Sequence, residues 1–387
     1  MEIPVQLINL KEHFSDMVDP RQSRGKRHEL VDILVIMLLA MICGADNAED
    51  IEEYGESHEE WLRTFLRLSH GIPTQDTYLR VLAALEPNAF QARFQGWVSS
   101  LLSPAAHVAI DGKTVRGSYD RGSGATAIHM VSAWLAGAGL VLRQVKTSEK
   151  SNEITAIPEL LKLLDLKGVV VTTDAIGCQR AIASQIHEQG GYYVLSVKEN
   201  QPTLYADIEG FFLDSDRTKR PVEEPAPEVM EHTTVDADHG RLEKRTCRMS
   251  KDLSWVQGKA DWKGLTGIAR VESVREDLIT GTSTTEYRFY IVSVPDPTAE
   301  KVNSTIRNHW GIENGLHWVL DVTFGEDATR VRMGNAAENL STLRKTALNL
   351  LKRQPETKKK LSIPRKRKRC AWNQDYLISV ISNFAAD

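Results

Sequence analysis

Cysteines and long apolar segments are scarce in this sequence of 387 residues. Its four cysteines are widely separated and form no C-x-x-C pair, which excludes a disulfide scaffold or a zinc ribbon and predicts the reduced thiols of a cytosolic protein. The longest apolar run, residues 33–45, is too short to cross a bilayer and predicts a buried core helix. The first residues show no signal-peptide pattern.

Signatures of several enzyme classes are also absent. The sequence has no G-x-x-x-x-G-K-[ST], G-x-G-x-x-G, H-E-x-x-H or G-x-S-x-G motif. These absences disfavour P-loop nucleotide hydrolases, dinucleotide-dependent oxidoreductases, zincin proteases and α/β-hydrolases. No repeat of fixed period is present, which disfavours solenoids and propellers. The composition, 41% hydrophobic and 26% charged, is that of a globular protein of about two to three domains.

The charge is unevenly distributed along the chain. A net charge of −4 argues against a nucleic-acid-binding protein, whose binding domain is expected to be basic. However, residues 330–387 contain 14 Lys and Arg against 4 Asp and Glu, whereas residues 1–100 and 101–329 each carry a net charge of −7. The run KKKLSIPRKRKR at 358–369 is typical of an arm that binds a polyanion, the alternative being a solvated terminus.

The N-terminal part of the chain has a helical pattern. Apolar residues recur at helical spacing in residues 30–42, 51–62 and 75–85, and Gly44 is expected to end the first of these helices. The Gly-Ile-Pro turn at 71–73 is compatible with a helix-turn-helix, while the many acidic residues nearby favour a plain helical bundle equally well. We therefore expect an all-α domain over residues 1–104.

From residue 107 onward the pattern changes to strands and helices. HVAIDGKTV, AIHMVSAWLA and LVLRQVKT predict three strands, the last two joined by a hairpin at Gly137-Ala138-Gly139. GVVVTTDA predicts a central strand covered on both faces, and GYYVLSVKE predicts a fifth strand, each with a helix before it. The order β-β-β-α-β-α-β is typical of a ribonuclease-H-like sheet.

Residues 213–295 interrupt this pattern with a polar, proline-rich loop and alternating segments that indicate antiparallel strands. Helical spacing returns in residues 296–353. The expected fold class is therefore an α/β ribonuclease-H-like mixed sheet core (105–212 and 296–353) with a β-rich insertion (213–295). The all-α N-terminal domain precedes this core, and a basic C-terminal arm (354–387) follows it.

Two aspartates occupy unusual positions in the predicted strands. Asp111 lies inside the apolar strand VAIDG, and Asp174 ends the strand VVVTTDA. A buried carboxylate is unfavourable unless it is paired, and two that meet at one sheet edge bind a divalent cation such as Mg²⁺, which prefers oxygen ligands. Each aspartate could instead cap a turn, but the expected pairing of the two strands favours a functional site.

A third carboxylate is expected from a helix packed on the sheet, and Glu313 is the candidate. His309, Glu313 and His317 have the spacing of one helix face, which also permits a zinc site although the usual H-E-x-x-H motif is missing. The rival acids that follow it are Asp321, Glu326 and Asp327.

These segments resemble the H-repeat-associated transposases of bacterial insertion sequences, members of the DDE superfamily with a ribonuclease-H-like core. The resemblance rests on AIDGKTVRGS, VVVTTDAIGCQ, YYVLSVKENQP and IRNHWGIENGLHWVLDVTFGEDATRVR, in this order, and extends from about residue 19 to about residue 353. It implies a helical N-terminal associated domain, a catalytic core and a β insertion before the last acid. It assigns the three DDE acids to Asp111, Asp174 and Glu313.

The sequence departs from the pattern of a related group of insertion-sequence transposases. That group carries Tyr, Arg and Lys at set distances from the catalytic Glu, but the corresponding residues here are Ile306, His309 and Leu320. The roles of those residues in binding DNA ends therefore do not transfer. Arg307, His309 and Asn314 are candidates to replace them.

An acid trio of this kind would hold two divalent ions, Mg²⁺ or Mn²⁺, about 4 Å apart. One ion would activate the water that cleaves a DNA strand, and the freed 3′-hydroxyl would then attack target DNA. The expected partner is double-stranded DNA, as element ends and as target, and no membrane is expected. A homodimer that pairs two DNA ends is implied by the resemblance alone.

Basic residues outside the acid trio are predicted to contact the DNA backbone, although those beside Asp111 and in SVKEN are equally compatible with solvated side chains. The predicted contacts, besides the three end-binding candidates, are Lys113, Arg116, Lys198, Lys345, Lys352, Arg353, Lys358, Lys359, Lys360, Arg365, Lys366, Arg367, Lys368 and Arg369. Two other functions are also compatible with the sequence, a transposase-derived DNA-binding protein and a metal-dependent nuclease that cuts without joining. The presence of all three acids argues against a protein that only binds DNA. A strand-transfer assay with pre-cut ends would distinguish a nuclease from a transposase.

Overall fold

The computed structural model describes residues 4–22, 26–99, 106–119, 126–147, 153–217, 227–238, 240–355 and 360–382. A helical region precedes the first strand, as predicted. Its helices are α1 (Val5–Phe14), α2 (Leu30–Cys43), α3 (Ala48–Ser57), α4 (Glu59–Leu62), α5 (Gln75–Ala84) and α6 (Pro87–Ser99).

Helix α2 is the centre of this helical region. Residues 33–42 are fully buried, since a helix that is apolar on all sides fits only inside a core. The helix ends at Gly44, whose φ of 127° favours glycine. Asn47 and Asp50 then form a capping box that begins α3. The prediction of a buried core helix stopped by Gly44 is confirmed.

Membrane spans were sought among the described helices. None of them alone is long and apolar enough to cross a bilayer, and α2 and α3 satisfy the length and composition criteria only as a pair bent by 97°. The four cysteines are free, three of them buried and Cys43 partly buried.

Nine strands in the described ranges form one mixed sheet with the order β3-β2-β1-β4-β5-β9-β8-β7-β6. Strands β1, β2 and β3 pair antiparallel, and β4 and β5 run parallel to β1. The bounds are β1 (His107–Thr114), β2 (His129–Leu135), β3 (Leu140–Lys146), β4 (Val170–Thr173), β5 (Tyr192–Val197), β6 (Met230–Asp238), β7 (Arg241–Ser250), β8 (Gly267–Asp277) and β9 (Ser283–Val292).

The remaining helices cover the sheet and close the chain. The order from β1 to β5, with α7 before β4 and α8 before β5, is the one predicted. The helix bounds are α7 (Glu153–Lys162), α8 (Arg180–Glu188), α9 (Pro202–Ser215), α10 (Ala299–His309), α11 (Trp318–Phe324), α12 (Ala336–Arg353), α13 (Ile363–Trp372) and α14 (Gln374–Ile381).

The β-rich segment is part of the core sheet, which the sequence pattern did not indicate. Strand β9 pairs antiparallel with β5, from Val194 opposite Val292 to Val197 opposite Phe289. This pairing satisfies the edge of β5, which would otherwise present unpaired backbone groups. Helix α10 then packs across β6, β7, β1 and β4.

The predicted basic arm is partly folded. Helices α13 and α14 pack on α2, α12 and α1, and two basic residues of α13 are buried. Lys366 Nζ donates to the carbonyls of Leu351 (2.8 Å) and Gln354 (3.2 Å), and Arg367 donates to the carbonyl of Ala45 (3.0 Å). These carbonyls lie at the C-terminal ends of α12 and α2, where no helical partner remains and a donor is required. A solvated arm is therefore the wrong description of residues 363–381.

Candidate active site

Asp111 and Asp174 lie on neighbouring strands. Strand β1 pairs in parallel with β4 so that Ile110 is opposite Thr173, and the two aspartates follow these residues directly. Parallel strands bring their carboxyl ends to one edge of the sheet, so the predicted meeting of the two side chains is a consequence of the register. The structure brings together these two members of the predicted trio.

Asp174 sits in a partly buried and negatively charged environment. Its Oδ1 accepts hydrogen bonds from the backbone N–H groups of Ile176 (3.0 Å) and Gly177 (3.4 Å). Burial, then the charge of Glu153, then that of Asp111 raise the pKa of Asp174, and these outweigh the two hydrogen bonds. A positive charge at this position would therefore be stabilising.

Glu153 is a site residue that sequence reasoning missed. It is the first residue of α7, its side chain is 14% exposed, and its Oε1 lies 2.7 Å from His129 Nε2. His129 Nδ1 is in turn 2.9 Å from Thr114 Oγ1 on the paired strand. The available signal was a carboxylate that opens an amphipathic helix directly after the predicted hairpin.

His317 is the side chain of the helical segment after α10 that contacts Asp111. Its Nε2 lies 3.3 Å from Asp111 Oδ2, and the residue is 6% exposed. Neither ring nitrogen has a hydrogen-bond partner among the described residues. A buried imidazole without hydrogen bonds is unfavourable, so a hydrogen-bond partner is missing beside this ring.

Glu313 points elsewhere in this structure. It is exposed, and it lines a cavity of about 370 Å³ with Arg245, Arg275, Arg288 and Asn314. A π-helical turn at Glu313–His317 changes the helical phase, which places His317 and not Glu313 against Asp111. The described contacts do not join Glu313 to either aspartate.

The three rival acids form a separate cluster around Lys113. Lys113 Nζ lies 2.7 Å from Asp321 Oδ1, 3.0 Å from Asp327 Oδ1 and 3.3 Å from Glu326 Oε2. Although burial alone would lower it, the charges of Glu326, Asp321 and Asp327 raise the pKa of Lys113. The lysine is 11% exposed, and its charge pairs with these acids in this structure, so its contact with DNA stays a prediction. Arg116, 83% exposed, pairs with Asp327 at 3.6 Å.

Several other predicted DNA contacts are buried within the fold, and their role in binding DNA stays a prediction. His309 Nδ1 is 2.9 Å from Thr172 Oγ1, and Lys345 Nζ donates to Ser132 Oγ (3.0 Å). Lys352 donates to the carbonyls of Gly139 and Gly315 beneath the ring of Trp134. The predicted contacts that are buried, wholly or in part, are His309, Lys345, Lys352, Lys366 and Arg367.

The remaining predicted contacts lie at or near the surface. Arg307 pairs with Asp236, and Arg353 is partly buried. Lys198 is exposed and lines, with Asp174, Glu153 and Arg288, a cavity of about 930 Å³ at the sheet edge. Exposed residues at the C-terminus are Lys360, Arg365, Lys368 and Arg369, whereas Lys358 and Lys359 lie outside the described residues.

Asp111 and Asp174 are the kind of ligands that bind a divalent cation, but they do not form a complete coordination shell by themselves. In the described part of the chain, no group of three or more His, Cys, Asp and Glu side chains is arranged to hold a metal ion, which removes the support for a zinc site. Mg²⁺, however, is commonly held by one or two carboxylates, with waters and substrate phosphates completing its shell. Asp111 and Asp174, whose charges repel each other, fit that requirement.

The fold and the site are those of an α/β protein with a carboxylate centre at the edge of a mixed sheet. A family model described as a transposase DDE domain matches residues 102–350, and one described as DDE_Tnp_1-associated matches residues 11–98. The chain therefore belongs to the DDE transposase family, and the resemblance seen in its four motifs is confirmed.

Relatives of high coverage support this assignment. The chain is 40% identical over 386 residues to the "H repeat-associated putative transposase YhhI" of Escherichia coli (strain K12), covering 98% of this chain and 99% of the relative. It is also 40% identical over 379 residues to the "Putative transposase YncI" of Escherichia coli O157:H7, covering 97% and 95%.

A solved structure is only distantly similar. The cryo-EM structure of a piggyBac transposase synaptic complex with hairpin DNA matches 98% of this chain and 77% of that chain. The TM-score is 0.41 and the sequence identity is 10%, a likeness too low to support an argument about fold or function.

Proposed function

We propose that this protein is a transposase that cleaves DNA strands at the ends of an insertion sequence and joins them to target DNA in a divalent-cation-dependent reaction. The observation that carries the proposal is the juxtaposition of Asp111 and Asp174 at the ends of two parallel strands. Burial, then the charge of Glu153, then that of Asp111 raise the pKa of Asp174, which supports a site suited to a cation.

The sheet supports assigning a ribonuclease-H-like core. The order β3-β2-β1-β4-β5, with β1 to β3 antiparallel and β4 and β5 parallel to β1, is the arrangement expected from the β-β-β-α-β-α-β pattern. The strands β6 to β9 then extend this core, and α10 carries the chain back over it to Glu313.

The residues of the chain supply ligands and positioning. When bound, Mg²⁺ or Mn²⁺ polarises a phosphate oxygen and lowers the pKa of a water. Asp111 and Asp174 would be ligands of the cation. We propose Glu313 as the third acid, and its side chain would have to turn from its exposed position toward them. Lys198, exposed in the cavity beside Asp174, is placed to contact the DNA backbone.

Double-stranded DNA is the proposed partner, as element end and as target, with a homodimer that pairs two ends. Basic residues in this arrangement bind DNA largely through phosphates, so affinity should fall with added salt. The four exposed cations near the C-terminus are the best candidates for such contacts among the described residues.

The test is cleavage of DNA fragments that carry the two ends of the element encoding this chain, with Mg²⁺ or Mn²⁺ present. Asp111→Asn and Asp174→Asn should each abolish strand cleavage, because each removes a cation ligand, while binding of the same DNA is retained. Asp165→Asn is the matched control, since Asp165 is exposed in the loop before β4.

Cleavage that survives in both aspartate variants would refute the assignment of the site. Glu313→Gln and Asp321→Asn, assayed in parallel, test two candidates for the third acid, and we expect loss of cleavage only for Glu313→Gln; Asp321 is 34% exposed, so its replacement should not unfold the protein. Pre-cut ends then separate a transposase from a nuclease, because a nuclease that cannot join strands yields no joined product.

A further inference from the structure

We propose that Lys352 is a positioning residue for the proposed reaction, because it fixes the π-helical turn Glu313–His317 to the core sheet. This inference rests on the proposed function, since it concerns the backbone that carries the proposed third acid. It gives the lysine a part in orienting the site and not in contacting DNA.

Lys352 joins two parts of the fold that are far apart in the sequence. Its Nζ donates to the carbonyl of Gly139 at 2.9 Å, in the hairpin between β2 and β3, and to the carbonyl of Gly315 at 2.8 Å, in the centre of the π-helical turn. The same Nζ lies 4.0 Å from the centre of the Trp134 ring. An ammonium group has three N–H donors, and the two carbonyls and the aromatic ring are suitable partners for it.

The π-helical turn fits closely against the ring of Trp134. A Cβ on Gly315 would lie 2.8 Å from Cζ2 of Trp134 and 3.5 Å from Lys352 Nζ, so the absence of a side chain lets the turn approach both groups. Trp134 belongs to β2 and is 2% exposed, which makes its ring a fixed surface of the core. Lys352 therefore holds the turn against a rigid part of the sheet.

Helix α12, which carries Lys352 near its end, is anchored to the same sheet. One turn before the lysine, Asn349 accepts a hydrogen bond from the backbone N–H of Val141 (2.9 Å) and donates one to its carbonyl (2.9 Å). Two turns further back, Thr342 Oγ1 accepts a hydrogen bond from Gln144 on β3 (2.8 Å). The lysine thus extends from an anchored helix, so its reach to Gly315 has a defined end point.

The turn that Lys352 holds carries two side chains of the candidate active site. Glu313 is its first residue, and His317, its last, lies 3.3 Å from Asp111. A π-helical turn is a rare interruption of an α-helix and is often found at functional sites. A shift of Gly315 would move the backbone on both sides of it, and a misplacement of about 1 Å can lower a reaction rate about 100-fold.

The experiment compares Lys352→Met with the wild-type full chain in single-turnover cleavage of DNA that carries one end of the element, with Mg²⁺ present. Methionine keeps most of the apolar stem but removes the donors. The rate constant at saturating DNA should therefore fall about 10- to 100-fold, while the Kd for this DNA and its salt dependence stay unchanged. Lys352→Arg retains donors for both carbonyls and should recover most of the rate.

Asn349→Ala is the matched control, because it removes an anchor of α12 whose contacts in the described chain are with Val141 and not with the turn. It should lower the urea midpoint of unfolding, as Lys352→Met does, but leave the rate constant of cleavage unchanged. Amide hydrogen exchange of the peptide that contains residues 313–317, measured by mass spectrometry without DNA, needs no cleavage. Exchange should be faster in Lys352→Met and unchanged in Asn349→Ala.

Three results would overturn the inference while the proposed function stands. Faster exchange in Lys352→Met with an unchanged rate constant would show a purely structural contact. Weaker DNA binding with a lower salt dependence, at an unchanged rate constant, would make Lys352 a phosphate contact. An equal loss of rate in Asn349→Ala would show a general effect of loosening α12. In contrast, a wild-type chain that cleaves no DNA would refute the proposed function itself.

Gly315→Ala tests the same contact from the side of the turn and does not depend on Lys352→Met being folded. Alanine favours a helix more than glycine does, so the change should be tolerated except where its Cβ meets Trp134. The rate constant should fall about tenfold, and adding Trp134→Phe, which removes the overlapping ring atoms, should restore part of it. A wild-type rate in Gly315→Ala, or no recovery in the double variant, contradicts the positioning role.

Discussion

Replacing Lys113 by methionine is expected to destabilise the fold rather than to weaken DNA binding directly. The lysine lies two residues after Asp111 on β1 and neutralises Asp321, Glu326 and Asp327. Methionine preserves most of the apolar stem but leaves three carboxylates without this charge. The affected elements are β1, α11 and the turn that follows α11.

The magnitude follows from the burial of each acid. Glu326 is 1% exposed, and removing one partner of a buried ion pair costs about 3–5 kcal/mol. Asp321 and Asp327 are 34% and 27% exposed, so water screens them and their share is small. Although burial alone would raise it, the charges of Lys345, Arg344 and Lys113 lower the pKa of Glu326, so two cations remain near it after the change. We therefore expect a loss near the lower end, about 3 kcal/mol.

The assay is urea unfolding followed by circular dichroism at pH 7, with Lys198→Met as the control. Lys198 is exposed, and its replacement should change the unfolding free energy by less than about 0.5 kcal/mol. A Lys113→Met protein as stable as the wild type, with a salt dependence of DNA binding reduced by about one unit of slope, would refute this reasoning and restore Lys113 as a phosphate contact.

Three further predictions concern acid sensitivity, the packing at Gly112 and the C-terminal helices. Burial, with a contribution from His309, lowers the pKa of His107 to about 3 from 6.5, so the unfolded chain takes up a proton between these values that the folded protein does not. The unfolding free energy should therefore fall by about 2 kcal/mol from pH 8 to pH 5 through this residue, and urea titrations of His107→Gln that keep the full fall would contradict it. Gly112→Ala should lower the unfolding free energy by about 1–3 kcal/mol in urea, because the added Cβ would overlap the Glu153 carboxylate and the His129 ring, and unchanged stability would argue against that packing. Arg367→Met should lower the unfolding free energy in urea by about 3 kcal/mol, because buried carbonyls at the end of α2 lose their hydrogen-bond donor. Arg369→Gln should change the unfolding free energy by less than about 0.5 kcal/mol and reduce the salt dependence of DNA binding. The reverse pattern would show that the arginine buried here faces DNA in solution.

The pair of aspartates could be predicted from the sequence once a ribonuclease-H-like strand order was assumed, because that order makes β1 and β4 neighbours. A continuous run of β-branched residues indicates a strand covered on both faces, and a strand-helix-strand unit places successive strands in parallel. Asp111 and Asp174 end up side by side as soon as β1 and β4 pair. Helix α2 was predictable for a similar reason, because its apolar run has only one environment that suits it.

Other parts of the site depend on contacts that no local pattern encodes. Glu153 joins the site because α7 crosses β2 and β3, and sequence distance gives no indication of that approach. An ideal helix places His309, Glu313 and His317 on one face, but the π-helical turn shifts the phase within a few residues. A periodic pattern averages over such a local change and therefore misses it.

Basic residues posed a different difficulty. Lys366 and Arg367 belong to a run of cations that composition associates with a solvated arm. Their burial depends on the carbonyls left free at the ends of α12 and α2, which are known only once these helices are placed in space. The neighbouring Lys368 and Arg369 remain exposed, so a single turn of helix α13 contains both buried structural cations and surface cations.

The continuous nine-stranded sheet has a consequence for dividing this protein into parts. Helix α10, which leads into Glu313, rests on β6 and β7 as well as on β1, and β9 completes the edge of β5. A fragment without residues 227–292 would lose the floor beneath that helix together with the edge partner of β5. The segment that interrupts the proposed catalytic core in the sequence thus supports the helix that leads into Glu313, and the smallest fragment able to present all the proposed acids includes both.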